Sequence, residues 1–195
     1  MQFAVAVVPT TGQDRAAVFV RGEGLVIVLA DGAGGTAGGA AAASAIVEGV
    51  GAASGEAWGD LLGELDADPR RLGFGQATAV VLSLDPRGIR GASVGDSGAW
   101  LIRADDVDDL TQAQQRKPLV GSGGSPVPFR TGPVGDGTLL VASDGLLHYA
   151  KQAAIAAIAR GPDLEVAARQ LVELVRLASG ALPDDVSIVL CRATR

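Results

Sequence analysis

Residues 25–30 have the sequence Leu-Val-Ile-Val-Leu-Ala, and Asp31 and Gly32 follow them directly. The apolar run is continuous rather than alternating, which predicts a central strand that is covered on both faces. The turn residues 21–24 come before the run, and a carboxylate stands where it ends. The sequence therefore predicts a buried strand that carries an acidic residue at its end.

Other strands and helices are predicted on both sides of this segment. The predicted strands span residues 3–8, 16–20, 25–30, 77–84, 89–94, 99–103, 138–142 and 186–191. The first three form the simplest antiparallel set, and residues 77–103 have the pattern of an antiparallel meander. Helical spacing or Ala-rich composition predicts helices at residues 36–50, 56–65, 146–160 and 164–179. This order of elements favours an α+β fold over a strictly alternating parallel one.

The composition indicates one packed domain spanning residues 1–195. The 195 residues include 16 Lys or Arg and 22 Asp or Glu, so the formal net charge is −6, and 48% of residues are hydrophobic. That apolar content excludes a disordered chain, and the lack of a basic cluster argues against nucleic acid or acidic membranes as partners. Cys191 is the single cysteine. With no internal disulfide possible and no transmembrane stretch, a reducing, cytoplasmic location is expected.

Four acidic residues stand where a predicted strand ends or a turn begins: Asp31, Asp96, Asp144 and Asp184. Carboxylates at strand ends, beside glycines that let backbone carbonyls approach, provide the oxygen ligands that Mg²⁺ or Mn²⁺ requires. A cation would also offset the repulsion between like charges that meet in one site. The alternative is that these Asp-Gly and similar pairs are ordinary turn residues.

Five segments, taken in order, resemble the PPM or type 2C family of metal-dependent protein serine/threonine phosphatases along nearly the whole chain. They are Leu29–Gly35 (DGxGG), Gly75–Val81 (small-Thr-Ala strand), Ser93–Ala99 (GDSRA), Val141–Leu146 (SDGL) and Asp184–Ile188 (DNxT). The resemblance implies a four-layer α-β-β-α sandwich of two antiparallel sheets flanked by helices. It also implies that residues 104–137, where few apolar residues occur, form a shortened flap.

The resemblance also implies a set of site residues. Asp31 would bridge two metal ions, with the Gly32 carbonyl as a further ligand, and Asp144 and Asp184 would complete one of them. Asp14 would serve the other ion, and Asp96 would help to hold a third. The cofactors would be two or three Mn²⁺ or Mg²⁺ ions, which can turn a bridging water into hydroxide and stabilise charge on a transferring phosphoryl group. Asp31, Asp144 and Asp184 are the implied catalytic residues.

The sequence departs from the family pattern at three positions. An Arg that contacts phosphate usually stands five residues before the Asp of the N-terminal element, and here Pro9 occupies that position. Arg15 is the nearest substitute. Ala33 replaces a His that is a proposed general acid in eukaryotic members, and Gly98 replaces the Arg of GDSRA.

Two rival enzyme classes have local support. Residues 32–37 satisfy the G-x-G-x-x-A dinucleotide fingerprint, but Asp31 would push a carboxylate towards the pyrophosphate. Residues 95–98, Gly-Asp-Ser-Gly, are similar to the nucleophile segment of chymotrypsin-like proteases, with Ser97 as nucleophile. The rest of that machinery is missing, because the single His148 lies in a predicted helix.

The sequence therefore predicts an enzyme that hydrolyses phosphoserine or phosphothreonine on protein substrates and so opposes a cognate serine/threonine kinase in signalling. The alternative, motivated by the missing Arg, is a catalytically weak or inactive domain that binds a phosphoprotein or a signalling partner.

Overall fold

The structure is a computed structural model that describes residues 1–33 and 37–194. Within these ranges it contains ten strands and five helices. The strands are β1 (Gln2–Val8), β2 (Arg15–Arg21), β3 (Gly24–Ala30), β4 (Ala79–Asp85), β5 (Gly88–Val94), β6 (Gly98–Ile102), β7 (Val107–Asp109), β8 (Val127–Thr131), β9 (Thr138–Ala142) and β10 (Val186–Arg192). The helices are α1 (Ala37–Ala52), α2 (Trp58–Asp66), α3 (Asp144–Leu147), α4 (Gln152–Ala159) and α5 (Leu164–Leu174).

The strands form two five-stranded antiparallel sheets. Sheet A has the order β1-β10-β9-β6-β7, and sheet B has the order β2-β3-β4-β5-β8. Helices α1 and α2 pack on the outer face of sheet B, and α3, α4 and α5 pack on the outer face of sheet A. A third apolar cluster fills the space between the sheets. The predicted α+β class and four-layer sandwich are therefore confirmed.

Strand β3 shows how the sequence produces these layers. Leu25, Ile27 and Leu29 belong to the cluster between the sheets, whereas Val26 and Val28 belong to the cluster beneath α1 and α2. Successive side chains of a strand point to opposite faces, so an unbroken apolar run must be covered twice. The end of this buried strand delivers Asp31 to one edge of the sandwich.

The predicted antiparallel groupings are wrong at two strands. β1 pairs with β10 over its full length instead of with β2. β6 does not continue the meander from β5 but crosses to sheet A, where it lies between β9 and β7. Every residue of β6 is buried, so the strand needs neighbours and cover on both faces. The inner position in sheet A provides them, whereas β5 already pairs with the edge strand β8.

The helix predictions differ from the structure mainly at the ends. The predicted helix at 146–160 is two helices, α3 and α4, separated by residues 148–151. α5 ends at Leu174, before the predicted residue 179, and α1 is described from Ala37 because Thr36 lies outside the described residues. The segment 104–137 is mostly loop but contributes the edge strands β7 and β8.

Two further sequence features have clear positions. Cys191 is fully buried between the sheets, and burial raises the pKa of its thiol to about 11, so it acts as a small core residue. Over the described ranges, no helix has the length and apolar character needed to cross a bilayer.

The layered core predicts the cost of a substitution between the sheets. Leu82 is 0% exposed and lies in the central cluster. We expect Leu82→Ala to lower the free energy of unfolding by about 2–5 kcal/mol, through lost burial and the cavity left behind. Val20 on β2, which is 71% exposed, is the control. Val20→Ala should change the free energy of unfolding by less than about 0.5 kcal/mol. Urea unfolding followed by tryptophan fluorescence measures both; equal effects would contradict the described layering.

Candidate active site

Four of the five predicted aspartates line one cavity at an edge of the sandwich. Asp31, Asp96, Asp144 and Asp184 surround a space of about 330 Å³, and Gly32 also lines it. Asp31 follows β3, Asp96 lies in the turn between β5 and β6, Asp144 begins α3 after β9, and Asp184 stands just before β10. Both sheets therefore contribute to the cavity.

The backbone around Asp31 is fixed by the beginning of β4. The Thr78 N–H donates to the Asp31 carbonyl at 2.8 Å, and the Asp31 N–H donates to the Thr78 hydroxyl at 3.1 Å. The same hydroxyl lies 2.6 Å from the Ser97 hydroxyl in the β5–β6 turn. These contacts tie the strand end that carries Asp31 to the turn that carries Asp96.

Gly32 permits a close approach of two backbones. Its peptide bridges to Ala77, and a Cβ at this position would overlap the backbone of Gly39 in the first turn of α1. Glycine is required wherever backbones come this close. The carbonyl predicted to be a ligand therefore belongs to a residue that cannot carry a side chain.

Asp144 and Asp184 come from neighbouring strands of sheet A. The Ser143 N–H donates to the Ser187 carbonyl, and the Ser187 N–H donates to the Ser143 hydroxyl, both at 3.0 Å. A Cβ on Gly145 would overlap the Asp185 carbonyl oxygen. The glycine of the SDGL segment thus lets α3 begin directly against the loop before β10, which brings the two carboxylates to one cavity.

Asp14 is buried next to Asp31 and is not among the residues that line the cavity. Its side chain is 3% exposed, and neither carboxylate oxygen has a hydrogen-bond partner of normal geometry. Burial raises the pKa of Asp14, an effect that the nearby hydroxyls of Ser143 and Ser187 only partly oppose. Burial and then the charges of Asp14 and Asp144 raise the pKa of Asp31 to about 9. An unpartnered buried carboxylate is costly, so this pair requires a proton or a cation.

Burial and neighbouring charges also raise the pKa of Asp144, another residue that lines the cavity. Its pKa is raised by burial and then by the charges of Asp96 and Asp184. Within residues 1–33 and 37–194, no three acidic, His or Cys side chains already stand as a group that could hold an ion. The donor set, which is all oxygen and strongly anionic, nevertheless fits a hard divalent cation, provided the side chains turn towards a common point.

The sequence interpretation missed Asp185, although the residue next to it was singled out. Asp185 is buried, and its carboxylate accepts hydrogen bonds from the consecutive backbone N–H groups of residues 10–14. The distances include 2.6 Å from Thr11 and from Gln13. Burial opposes ionisation, but these N–H groups outweigh it and hold the pKa of Asp185 well below its usual range. Asp185 therefore fixes the loop that carries Asp14.

Arg15, the predicted substitute for the missing phosphate contact, is not among the residues that line the cavity. Its guanidinium donates to the carbonyls of Gly12 and Asp14 at 2.9 and 2.7 Å, and to the Ser44 hydroxyl at 3.1 Å. These contacts fasten the 10–14 loop to α1, so the structure gives Arg15 a role in holding the backbone at Asp14.

The features behind the two rival enzyme classes have structural explanations. Ser97 is fully buried and its hydroxyl pairs with Thr78, so it is not an accessible nucleophile. His148 is exposed at the end of α3, with its ring edge against Tyr149. Residues 34–36 of the dinucleotide fingerprint lie outside the described residues, and Asp31, which precedes the fingerprint in sequence, lines the acidic cavity.

Comparison with known proteins agrees with the fold. The sequence matches the family Stage II sporulation protein E (SpoIIE) over residues 21–194. The chain therefore belongs to the SpoIIE family, which is of the PPM phosphatase type. Asp14 and the loop held by Asp185 precede the matched residues. No curated protein matches the chain by sequence.

Solved structures with the same fold cover the entire chain. The catalytic domain of the serine/threonine protein phosphatase PstP, in complex with two manganese ions, superposes with a TM-score of 0.79 at 18% identity, over 100% of this chain and 98% of that one. Stp1 from Staphylococcus aureus gives 0.80 at 18% identity, over 100% and 95%. PppA, a regulatory component of T6SS in Pseudomonas aeruginosa, gives 0.74 at 19% identity, over 100% and 99%. At these identities the similarity establishes the fold.

The hydrogen bonds of Asp185 predict a pH-dependent effect of substitution. We expect Asp185→Asn to lower the free energy of unfolding at pH 7 by about 2–4 kcal/mol, because an amide NH₂ would face N–H donors that now meet a carboxylate oxygen. Since the folded-state pKa is lowered, this stabilisation is present above the ordinary value of 3.8 and is lost as the pH falls below it. The difference between wild type and variant should therefore shrink below about pH 4.

Asp184→Asn is the matched control, because the described hydrogen bond to its carboxylate comes only from the Asp185 N–H. Urea unfolding in EDTA from pH 7 to pH 3 measures both variants. Equal stability of the two variants at pH 7 would show that Asp185 does not hold the 10–14 loop.

Proposed function

We propose that this chain is a metal-dependent protein serine/threonine phosphatase that hydrolyses phosphoserine or phosphothreonine. The observation that carries the proposal is that Asp31, Asp96, Asp144 and Asp184 line one cavity, and that Asp14, next to Asp31, has two buried carboxylate oxygens without a hydrogen-bond partner. Membership of the SpoIIE family and the fold shared with bacterial serine/threonine phosphatases support the same chemistry.

The proposed ligands are Asp14, Asp31, the Gly32 carbonyl, Asp144 and Asp184, with Asp96 serving a third ion. The cofactors are two or three Mn²⁺ or Mg²⁺ ions. Such ions, when bound, make water a stronger nucleophile near neutral pH and neutralise charge on a transferring phosphoryl group. Asp31, Asp144 and Asp184 are the proposed catalytic residues, as the resemblance to PPM phosphatases implies, and all three line the cavity.

The chain itself contributes positioning. Asp185 and Arg15 hold the loop that places Asp14, and the Thr78–Ser97 pair links the backbone segments of Asp31 and Asp96. Catalytic groups must be held close to their productive geometry by rigid neighbours. This support comes from strand ends in both sheets, so the carboxylates lie on a rigid part of the fold.

The second candidate is a catalytically weak or inactive domain that binds a phosphoprotein. Pro9 where the family usually has an Arg, together with the contacts that hold Arg15 away from the cavity, favours this alternative. The proposed partners are phosphorylated proteins and an opposing serine/threonine kinase, and the proposed setting is cytoplasmic signalling.

Hydrolysis assays on p-nitrophenyl phosphate and on a phosphothreonine peptide, with Mn²⁺, Mg²⁺ or EDTA, test the proposal. We expect metal-dependent turnover that falls by at least about a hundredfold in Asp31→Asn and in Asp144→Asn, because each removes a charged metal ligand. Asp136→Asn, an exposed substitution outside the cavity, should retain wild-type activity.

Thermal unfolding separates a lost function from a lost fold. In EDTA at pH 7, Asp31→Asn should not lower Tm, because burial and the charges of Asp14 and Asp144 raise the pKa of Asp31 to about 9, so the substitution replaces a largely neutral carboxyl by a neutral amide. Mn²⁺ should raise the Tm of the wild type more than that of the variant. Metal binding without turnover on either substrate would favour the binding domain, and absence of metal binding would overturn the site assignment.

A further inference from the structure

Two basic side chains line the acidic cavity, and neither stands where the sequence predicts a phosphate contact. Arg116 and Lys117 line the cavity together with Asp31, Asp96, Asp144 and Asp184. Among the described residues that line it, they are the only bases. They belong to the segment 104–137, far in sequence from the positions where a phosphate contact was expected.

The segment before them is held by the turn that carries Asp96. The Gln114 side-chain amide donates to the Ser97 carbonyl at 2.6 Å. Three residues earlier, the Thr111 hydroxyl accepts the Ala99 N–H at 3.2 Å. Gln114, two residues before Arg116, is therefore anchored to the residue that precedes β6.

The segment after them is held by the strand ends next to Asp31. Val120 and Ala77 exchange both backbone hydrogen bonds at 3.1 Å, and Ala77 also bridges to Gly32. The Asp66 carboxylate at the end of α2 accepts N–H groups from Gly121 at 2.7 Å and Gly123 at 2.9 Å. Residues 115–118 thus form a short exposed span between two anchored points, beside the cavity.

Arg116 reaches into the cavity. Its Nε and Nη2 atoms each lie 3.0 Å from the same oxygen of Asp96, Oδ2, while its side chain remains 69% exposed. One exposed ion pair of this kind is weak and exchanges readily with other partners. The guanidinium therefore has the reach and the freedom to meet an anion that enters the cavity.

A phosphate dianion needs such a partner. The carboxylates that line the cavity would repel it. Pro9 occupies the position of the usual Arg, and Arg15 is engaged by Gly12, Asp14 and Ser44. Guanidinium groups match phosphate oxygens with two parallel N–H donors, and Lys adds a flexible point charge.

We infer that Arg116 and Lys117 form the phosphate-binding subsite for the phosphorylated side chain, in place of the missing N-terminal Arg. The inference rests on the proposed function in that the same cavity must bind a phosphoester. Arg116 exchanges Asp96 for the phosphoryl oxygens, and Lys117 adds charge at the mouth of the cavity.

Calorimetric binding of inorganic phosphate to the Mn²⁺-loaded full chain tests the inference. Arg116→Ala and Lys117→Ala should each weaken binding, Arg116→Ala by roughly tenfold or more, and Arg116→Lys should weaken it less. Arg87→Ala is the matched control, because Arg87 is also an exposed Arg paired with one aspartate, Asp85, outside this cavity. Lys151→Ala, on an exposed residue before α4, is the control for Lys117.

Kinetic and metal-binding measurements distinguish failure of the phosphate subsite from failure of the proposed activity. We expect KM for the phosphothreonine peptide to rise in Arg116→Ala while Mn²⁺ affinity is not weakened. Unchanged phosphate affinity in Arg116→Ala, with tighter Mn²⁺ binding, would show that Arg116 only neutralises Asp96 and would overturn the inference. A wild type without turnover whose phosphate binding still depends on Arg116 would overturn the proposed activity alone. If the wild type shows turnover but Arg116→Ala and Arg87→Ala bind phosphate with equal affinity, the subsite alone would be overturned.

Discussion

The carboxylate of Asp185 accepts consecutive backbone N–H groups from residues 10–14, and much of the candidate site depends on this interaction. Backbone donors near the surface of a sandwich must be satisfied, and here one side chain satisfies a whole loop. The loop then places Asp14 next to Asp31, and Arg15 fastens the loop to α1. One carboxylate thereby joins the loop after β1 to the residue before β10, beside the acidic cavity.

The fold concentrates negative charge at this edge and stabilises it only in part. Burial and mutual repulsion raise the pKa values of Asp14, Asp31 and Asp144, whereas Asp185 is held ionised by backbone dipoles. Functional sites often retain such unfavourable burial and repulsion of charges, because the binding of a ligand then relieves them. Asp184 and Asp185 are neighbours in one loop and both line the cavity, but only the Asp185 carboxylate accepts the N–H groups of residues 10–14.

The sequence was informative wherever a local pattern determines structure. The apolar run before Asp31 correctly predicts a strand covered on both faces, and the resemblance to PPM phosphatases provided the four layers. The positions of β1 and β6 were wrong because strand partners depend on non-local pairing, which alternation does not encode. Asp185 was missed because its partners lie more than 170 residues away in sequence. Arg116 lies in a loop whose course depends on contacts with Ser97 and Ala77.

The pairing of β1 with β10 has a consequence for how the protein is made. β1 and the loop that carries Asp14 are synthesised early, yet their strand partner and hydrogen-bond acceptor are residues 185–192. Until the ribosome releases that stretch, the first strand has no neighbour in sheet A and Asp14 has nothing to hold it in place. Contacts of such long sequence separation form late and slowly. A nascent or prematurely terminated chain would therefore carry most of the acidic residues without the arrangement that makes them a site.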